Sequence, residues 1–326
     1  MRAAWYARNG EAREVLVVGE LPTPEPGAGE VRVQIAASGV NPSDVKARSA
    51  RPLGSERIVP HSDGAGVIDA VGEGVSPGRI GERVWVWNGQ WQRPLGTAAE
   101  FIVLPEAQAV RLPASTDFAA AACFGIPAMT AFHAVRQLGD IAGQSVLVIG
   151  ASSSVGHYAA QMAAIGGARV IGTVGSAEKA RHALAAGVEA AIDYKTEPVA
   201  ERVRQLTGGR GADAIVDMDF STTVQLLAVG GLAPHGTLVS YGSNAYGDIP
   251  IPFRALLWNS FSLRFFLVYD LAPAGRRAAI DGLGQLVADG QLLHTVGARF
   301  GLDQIAAAHE AVEAGRLIGN VVVELR

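Results

Sequence analysis

The stretch that decides the fold is Val146-Leu147-Val148-Ile149-Gly150-Ala151-Ser152-Ser153-Ser154-Val155-Gly156, followed by His157–Ile165. An apolar, largely β-branched run ends on small residues, and these give way to a helix-forming segment. The chain therefore reads as strand, tight turn and helix. Such a turn presents backbone N–H groups and the positive end of a helix dipole, a combination suited to a pyrophosphate. The spacing departs from G-x-G-x-x-G, because Ala151 stands first and Ser153 in the middle. Ser153 is small enough to turn its hydroxyl aside while Ser152, Ser153, Ser154, Val155 and Gly156 face the ligand; an ordinary strand-to-helix turn is the plainer alternative.

Outward from this turn, apolar β-branched runs alternate with amphipathic stretches. The runs are Val146–Ile149, Arg169–Val174, Ala190–Tyr194, Ala214–Met218, Thr237–Tyr241 and Leu263–Val268. Alternation of this kind predicts an α/β domain with a doubly wound parallel sheet. Gly187 closes the helix Ala177–Ala186, and Thr196 and Pro198 precede Val199–Leu206.

The end of the second strand carries independent information. A site for NAD places Asp or Glu there, ~20 residues past the turn, to bond the adenosine ribose. Here the sequence is Gly172-Thr173-Val174-Gly175-Ser176-Ala177-Glu178-Lys179, with no acid at Val174. Ser176 and Lys179 offer a hydroxyl and an ammonium to a 2′-phosphate, which favours NADPH; a solvated helix residue is the alternative for Lys179.

The first ~120 residues have a different texture, with short strands between Pro and Gly turns, as in a small β-barrel or sandwich. The expected strands are Glu14–Val18, Glu30–Ala37, Gly64–Val71, Arg83–Trp87 and Ala98–Leu104. From Thr116 the pattern turns helical, with Ser115 or Thr116 as caps and Asp117 near the positive helix end. Two more helices, Pro273–Asp289 and Leu302–Ala314, lead to a strand-like run Asn320–Leu325 that returns to the first domain. The expected division is 1–120 with 270–326, a second and mainly β domain, and 121–269, the dinucleotide-binding domain. A length of 326 residues supports two cores and a cleft between them.

Composition removes several classes of function. Apolar residues make up 49% and charged residues 18%, and no apolar run approaches the ~18 residues of a membrane span. The start, Met1-Arg2-Ala3-Ala4-Trp5-Tyr6, lacks a secretory pattern, so a cytoplasmic protein is expected. With 27 basic and 31 acidic residues, net −4 and no long basic block, nucleic acid is not an expected partner. The lone cysteine, Cys123, allows no intramolecular disulfide and no multi-thiolate zinc site; its apolar setting predicts a buried, inert thiol.

Several segments together resemble the quinone oxidoreductase branch of the medium-chain dehydrogenase/reductase superfamily, the branch that includes zeta-crystallin. They are Gly39–Asp44, Asp63–Val67, Gly125–Ala134, Val146–Gly156, Gly172–Lys179 and Ile318–Val322, so the likeness spans essentially the whole chain. It implies a Rossmann domain and a GroES-like substrate domain. It further implies cofactor contacts from Asn41, Thr130, Thr173, Ser176, Lys179, Tyr194, Tyr241, Gly242, Ser243, Phe266, Val268 and Asn320. Relatives carry glycine where Ser153 stands. They are commonly homodimers joined through an edge strand, expected here near Leu263–Val268.

Zinc-dependent relatives carry a Cys within the segment matching Val40–Asp44 and a His in Gly-His-Glu-Gly-Ala-Gly. Here Ser62 takes the place of that His, and His61 is shifted by one residue, which turns a strand side chain to the other face. The expected metal is none. Without a Lewis acid the expected substrate is an activated acceptor, a quinone or related conjugated carbonyl (enone), which needs mainly a positioned hydride donor. A non-catalytic NADPH-binding protein and an enoyl thioester reductase are the alternatives. Asn41 is the expected anchor for the acceptor oxygen, since an amide donates without ionising; a turn-forming Asn before Pro42 is the other reading. Asp44, Lys46 and Arg48 follow at alternate positions. Trp85 and Trp87 read as core, whereas Trp91 reads as a loop residue near ligand.

Overall fold

The computed structural model describes residues 1–245 and 247–325. It divides into two compact units, Met1–Ile126 with His294–Arg326, and Pro127–Leu293. The return to the first unit thus comes later than the expected residue 270. The physical reason is the helix Pro273–Ala288, which packs on Met129–Gln137 and donates from Arg276 to the Val268 carbonyl at 2.6 Å.

In the middle unit six strands form one parallel sheet. Their order is Ala190–Asp193, Arg169–Val174, Ser145–Val148, Ala212–Asp217, Leu232–Ser240 and Ser262–Phe265. All neighbours pair parallel, so in chain order the sheet runs 3-2-1-4-5-6, the doubly wound arrangement whose direction reverses beside its first strand. Its centre is apolar because both faces are covered by helices. Leu147, Ile192, Ile215 and Leu238 are fully buried there.

The other unit is mainly β. Its larger sheet runs Val296–Gly301, Asn320–Glu324, Glu30–Val40, Asp63–Val71, Arg83–Val86 and Ala109–Arg111, with Phe101–Pro105 on the first half of Glu30–Val40. Arg2–Trp5 pairs with Val17–Glu20 in a separate ribbon. The expected strand Glu14–Val18 is displaced, because Ala12–Val15 forms a helical turn that buries Ala12 and Val15. The helix expected to be capped by Ser115 or Thr116 begins instead after Asp117, whose carboxylate pairs with Arg299 at 3.1 Å.

Asp44, Lys46 and Arg48 lie on a helix, Pro42–Ala50, so their alternation does not follow strand faces. Lys46 is exposed, Asp44 is buried, and Arg48 is fully buried in an ion pair with Glu313. Cys123 is buried, and burial pushes its thiol pKa well up. Among the described residues no helix is long and apolar enough to cross a membrane.

Candidate active site

In the middle unit the site is built at the carboxyl ends of the parallel strands. Gly150 follows the first strand at φ +70, where a side chain is strained, and its N–H donates to Thr173 Oγ1 at 2.8 Å. The helix Ser154–Ile165 then starts with Ser153 as its N-cap, whose Oγ accepts from the Gly156 N–H at 3.1 Å. Ser153 therefore does turn its hydroxyl aside, onto the helix start. A Cβ on Gly156 would lie 2.1 Å from the Gly150 carbonyl oxygen, so the turn closes only with glycine there. At such a helix start the amides of Ser154 and Val155 have no intrahelical acceptor. The cradle fits an anion.

The neighbouring strand ends complete this face. Gly172 packs against Ala151, and Gly175 lies under the Tyr194 ring, where a Cβ would approach the hydroxyl to 2.9 Å. Ser176 caps the helix Ala177–Ala185 by accepting from the Lys179 N–H at 3.2 Å. Val174 is buried, and its register partner Asp193 uses its carboxylate to accept from Lys195 N–H at 3.0 Å. Thr130 is buried on Met129–Gln137, and His133 of that helix stacks edge-on to Phe266 at 4.7 Å. Tyr241 lies 6.3 Å from the same ring, and the Ser243 hydroxyl accepts from Ala245 N–H at 3.1 Å.

Acids at the fourth strand were not singled out in the sequence. Asp217 is fully buried, accepts from Thr223 at 2.6 Å and Ser240 at 2.8 Å, and has its pKa raised by burial. Asp219 accepts from the Asn244 amide at 2.9 Å, and the Gly242 carbonyl accepts from Phe220 N–H at 3.0 Å. These bonds hold the 241–245 loop over the sheet edge. The available signal was an Asp-x-Asp at a strand end, beside the point where the sheet order reverses.

In the β unit, Asn41 is buried at the cap of Pro42–Ala50. Its N–H donates to Asp44 at 2.8 Å, and its side-chain amide donates to Asp63 Oδ2 at 2.9 Å. The Asn41 side chain also bonds the Asp44 carboxyl, so the amide is held between two buried acids. Burial raises the Asp44 pKa to about 7 and pushes Asp63 well above the carboxylate range. Val321 pairs with Val40, which brings Asn320 next in register to Asn41; the Asn320 amide donates to Thr295 O at 3.2 Å.

His61 is fully buried, rather than lining an opening, with backbone φ +75. It belongs to a hydrogen-bonded chain whose proton positions follow from one end. Thr97 donates to the Asp63 carbonyl, so Ser38 must donate to Thr97, 2.7 Å away. Ser38 has then spent its hydrogen, and His61 Nδ1–H donates to it at 2.8 Å. A neutral His61 leaves Nε2 bare, so His309 Nε2–H donates there at 2.9 Å. Burial holds both imidazoles neutral, His61 well below its usual pKa and His309 at about 3, with Arg48 adding to the shift of His309. His309 Nδ1 is left bare and buried. Both ring nitrogens of His61 are thus engaged, and among the described residues no three His, Cys, Asp or Glu side chains converge on a metal position.

Comparison with known proteins agrees with this architecture. Residues 27–114 match the alcohol dehydrogenase GroES-like domain, and residues 154–286 match the zinc-binding dehydrogenase model. The chain is 34% identical over 316 residues to a quinone oxidoreductase of Pseudomonas aeruginosa, covering 95% of each. It is 30% identical to a 2-haloacrylate reductase of a Burkholderia species, covering 93% of each. A mycobacterial protein solved in complex with NADPH superposes with a TM-score of 0.89 at 29% identity, over 100% of both chains. With its Rossmann and GroES-like units in the expected sequence order and this likeness over nearly its full length, the chain belongs to the quinone oxidoreductase branch of the medium-chain dehydrogenase/reductase superfamily.

Proposed function

We propose that this oxidoreductase transfers a hydride from NADPH to a quinone or related conjugated carbonyl, without zinc and in the cytoplasm. The observation that carries the reading is the glycine-closed turn at 150–156 with its outward amides, followed by a strand end with Ser176 and Lys179 and no carboxylate at Val174. When bound, NADPH supplies the hydride. The amides of Ser154 and Val155 hold pyrophosphate charge, and Ser176 and Lys179 hold the 2′-phosphate. Thr130, Tyr194, Tyr241–Ser243, Phe266, Val268 and Asn320 are assigned to the rest of the cofactor by family likeness. Asn41 is the anchor for the acceptor oxygen, to which its amide donates by exchanging its bond to Asp44 as negative charge grows there. Its orientation is fixed by Asp63, and the buried chain from Thr97 to His309 fixes the Asp63 backbone.

The zinc-free reading rests on Ser62 at the ligand position and on the full hydrogen bonding of His61. The similarity to a 2-haloacrylate reductase favours, as a second reading, reduction of a conjugated carbon–carbon double bond at the same site. We also read the edge strand Ser262–Phe265 as a dimer seam, because Phe265, Leu267 and Trp258 beside it are exposed apolar residues.

Calorimetry with both nicotinamide nucleotides, followed by NADPH oxidation against a quinone panel, tests the proposal. NADPH is expected to bind about tenfold or more tighter than NADH, and Lys179→Ala to remove most of that margin. Equal binding of the two nucleotides, or no rate above a protein-free control, would overturn it.

A further inference from the structure

The β unit contains a cavity of about 420 Å³ that none of the roles above uses. That volume lies in the range of small-molecule sites. Its walls include Tyr6, Leu53, Ile58, Trp91, Arg51 and Arg93. The helix Pro42–Ala50 links it to Asn41: Asn41 caps the helix start and Arg51 its end, ten residues or about 15 Å along the axis.

The lining carries two cations and no carboxylate. The Arg51 guanidinium sits over the Trp91 ring, 5.9 Å from its centroid, and forms no ion pair among the described residues. Arg93 is half-buried, and among the described residues its head group donates only to the neutral Gln108 amide oxygen, at 2.5 Å. Burial lowers the Arg93 pKa, and Glu30 offsets this only in part. Asp44 acts on Arg51 and on Tyr6, but it is bound to the Asn41 N–H behind the wall. A partly desolvated guanidinium without a counter-ion is costly, and an incoming anion relieves that cost. Trp91 and Tyr6 add aromatic surface that suits a planar ring.

We propose that this cavity binds a planar aromatic ligand bearing a carboxylate or sulfonate, with the ring against Trp91 and the anion on Arg51 and Arg93.

Naphthalene-2-sulfonate, which is not reducible, is titrated calorimetrically into the full protein alongside the neutral naphthalene-2-methanol. The sulfonate is expected to bind about tenfold tighter. Arg51→Gln and Arg93→Gln are each expected to weaken the sulfonate by about five- to tenfold and to leave the alcohol unchanged, while Trp91→Ala weakens both. NADPH affinity, measured in every variant, reports whether the protein is still folded. Equal binding of the two ligands, or sulfonate affinity untouched by both arginine variants in folded protein, overturns the assignment.

Discussion

The two units solve the same problem with different materials. In the Rossmann unit the sheet centre is apolar, and the pyrophosphate cradle is made of backbone: amides at a helix start, held in place by Gly150 and Gly156. In the β unit the site is made of side chains, and a polar chain of Thr97, Ser38, His61 and His309 runs through buried space behind it. Such a backbone cradle tolerates changes of side chain around its turn but not an added Cβ at its bend. A side-chain site tolerates small shifts of backbone but not the loss of one donor, because each member fixes the proton of the next.

The largest effect expected from this contrast is at Gly156. In Gly156→Ala the new carbon would meet the Gly150 oxygen at 2.1 Å, so the turn must open. We expect a loss of ~2–4 kcal/mol in stability and at least ~30-fold in NADPH affinity, read by thermal unfolding and calorimetry. Near-native values would mean the cradle is not set by that contact.

Next comes the side-chain unit. His309→Leu strips the donor from buried His61 and should cost ~2–3 kcal/mol in denaturant unfolding. His309→Gln should recover about half or more, because an amide nitrogen can donate to the same Nε2. If the leucine variant is as stable as the parent, the chain contributes nothing to the unit.

The pH dependence sharpens the same point. The folded pKa of His309 is about 3 against an ordinary 6.5, so below pH 6.5 the unfolded chain takes up a proton that the folded chain refuses. Its contribution is complete above pH 6.5 and is lost progressively as pH falls from 6.5 toward 3. Asp44 has the opposite sign: with a folded pKa of about 7 against 3.8, its contribution is complete below 3.8 and is lost as pH rises to about 7. The two slopes offset each other in the parent, but their difference can be isolated. Relative to His309→Gln, the parent should lose about 1.4 kcal/mol per pH unit between pH 6 and 4. A parallel pair of curves would show that His309 is protonated in the folded state.

The smallest effect is expected at Ser153. Ser153→Gly removes the bond to the Gly156 amide, but glycine is itself an acceptable cap, so only a few tenths of a kcal/mol are at stake. NADPH affinity should stay within about threefold. A larger gain would show that the hydroxyl competes with the ligand for that amide.

The Rossmann unit was the more legible in sequence, because buried parallel strands must be continuous β-branched runs. Arg169–Val174 agrees to the residue. Leu232–Ser240 starts five residues before the expected Thr237, since Pro234-His235-Gly236 reads as a turn, and His235 does adopt φ +64 inside the strand. Gly156 was legible because a strand–turn–helix spacing calls for a small residue there, and the structure leaves no room for a Cβ. The link between His61 and His309 was not, because 248 residues separate two side chains that meet only after the sheet closes. Asp63 stood only as the first residue of the segment Asp63–Val67; its burial beside Asn41 gives it a role.

The strand Asn320–Glu324 lies between Val296–Gly301 and Glu30–Val40, so the β sheet takes an interior member from residues made almost three hundred positions after its neighbour. During translation the contiguous stretch 127–293 can collapse while it emerges, whereas Ala37–Val40 keeps a bare edge until Asn320–Glu324 leaves the ribosome. The nascent amino-terminal half therefore needs shielding from self-association for most of its synthesis.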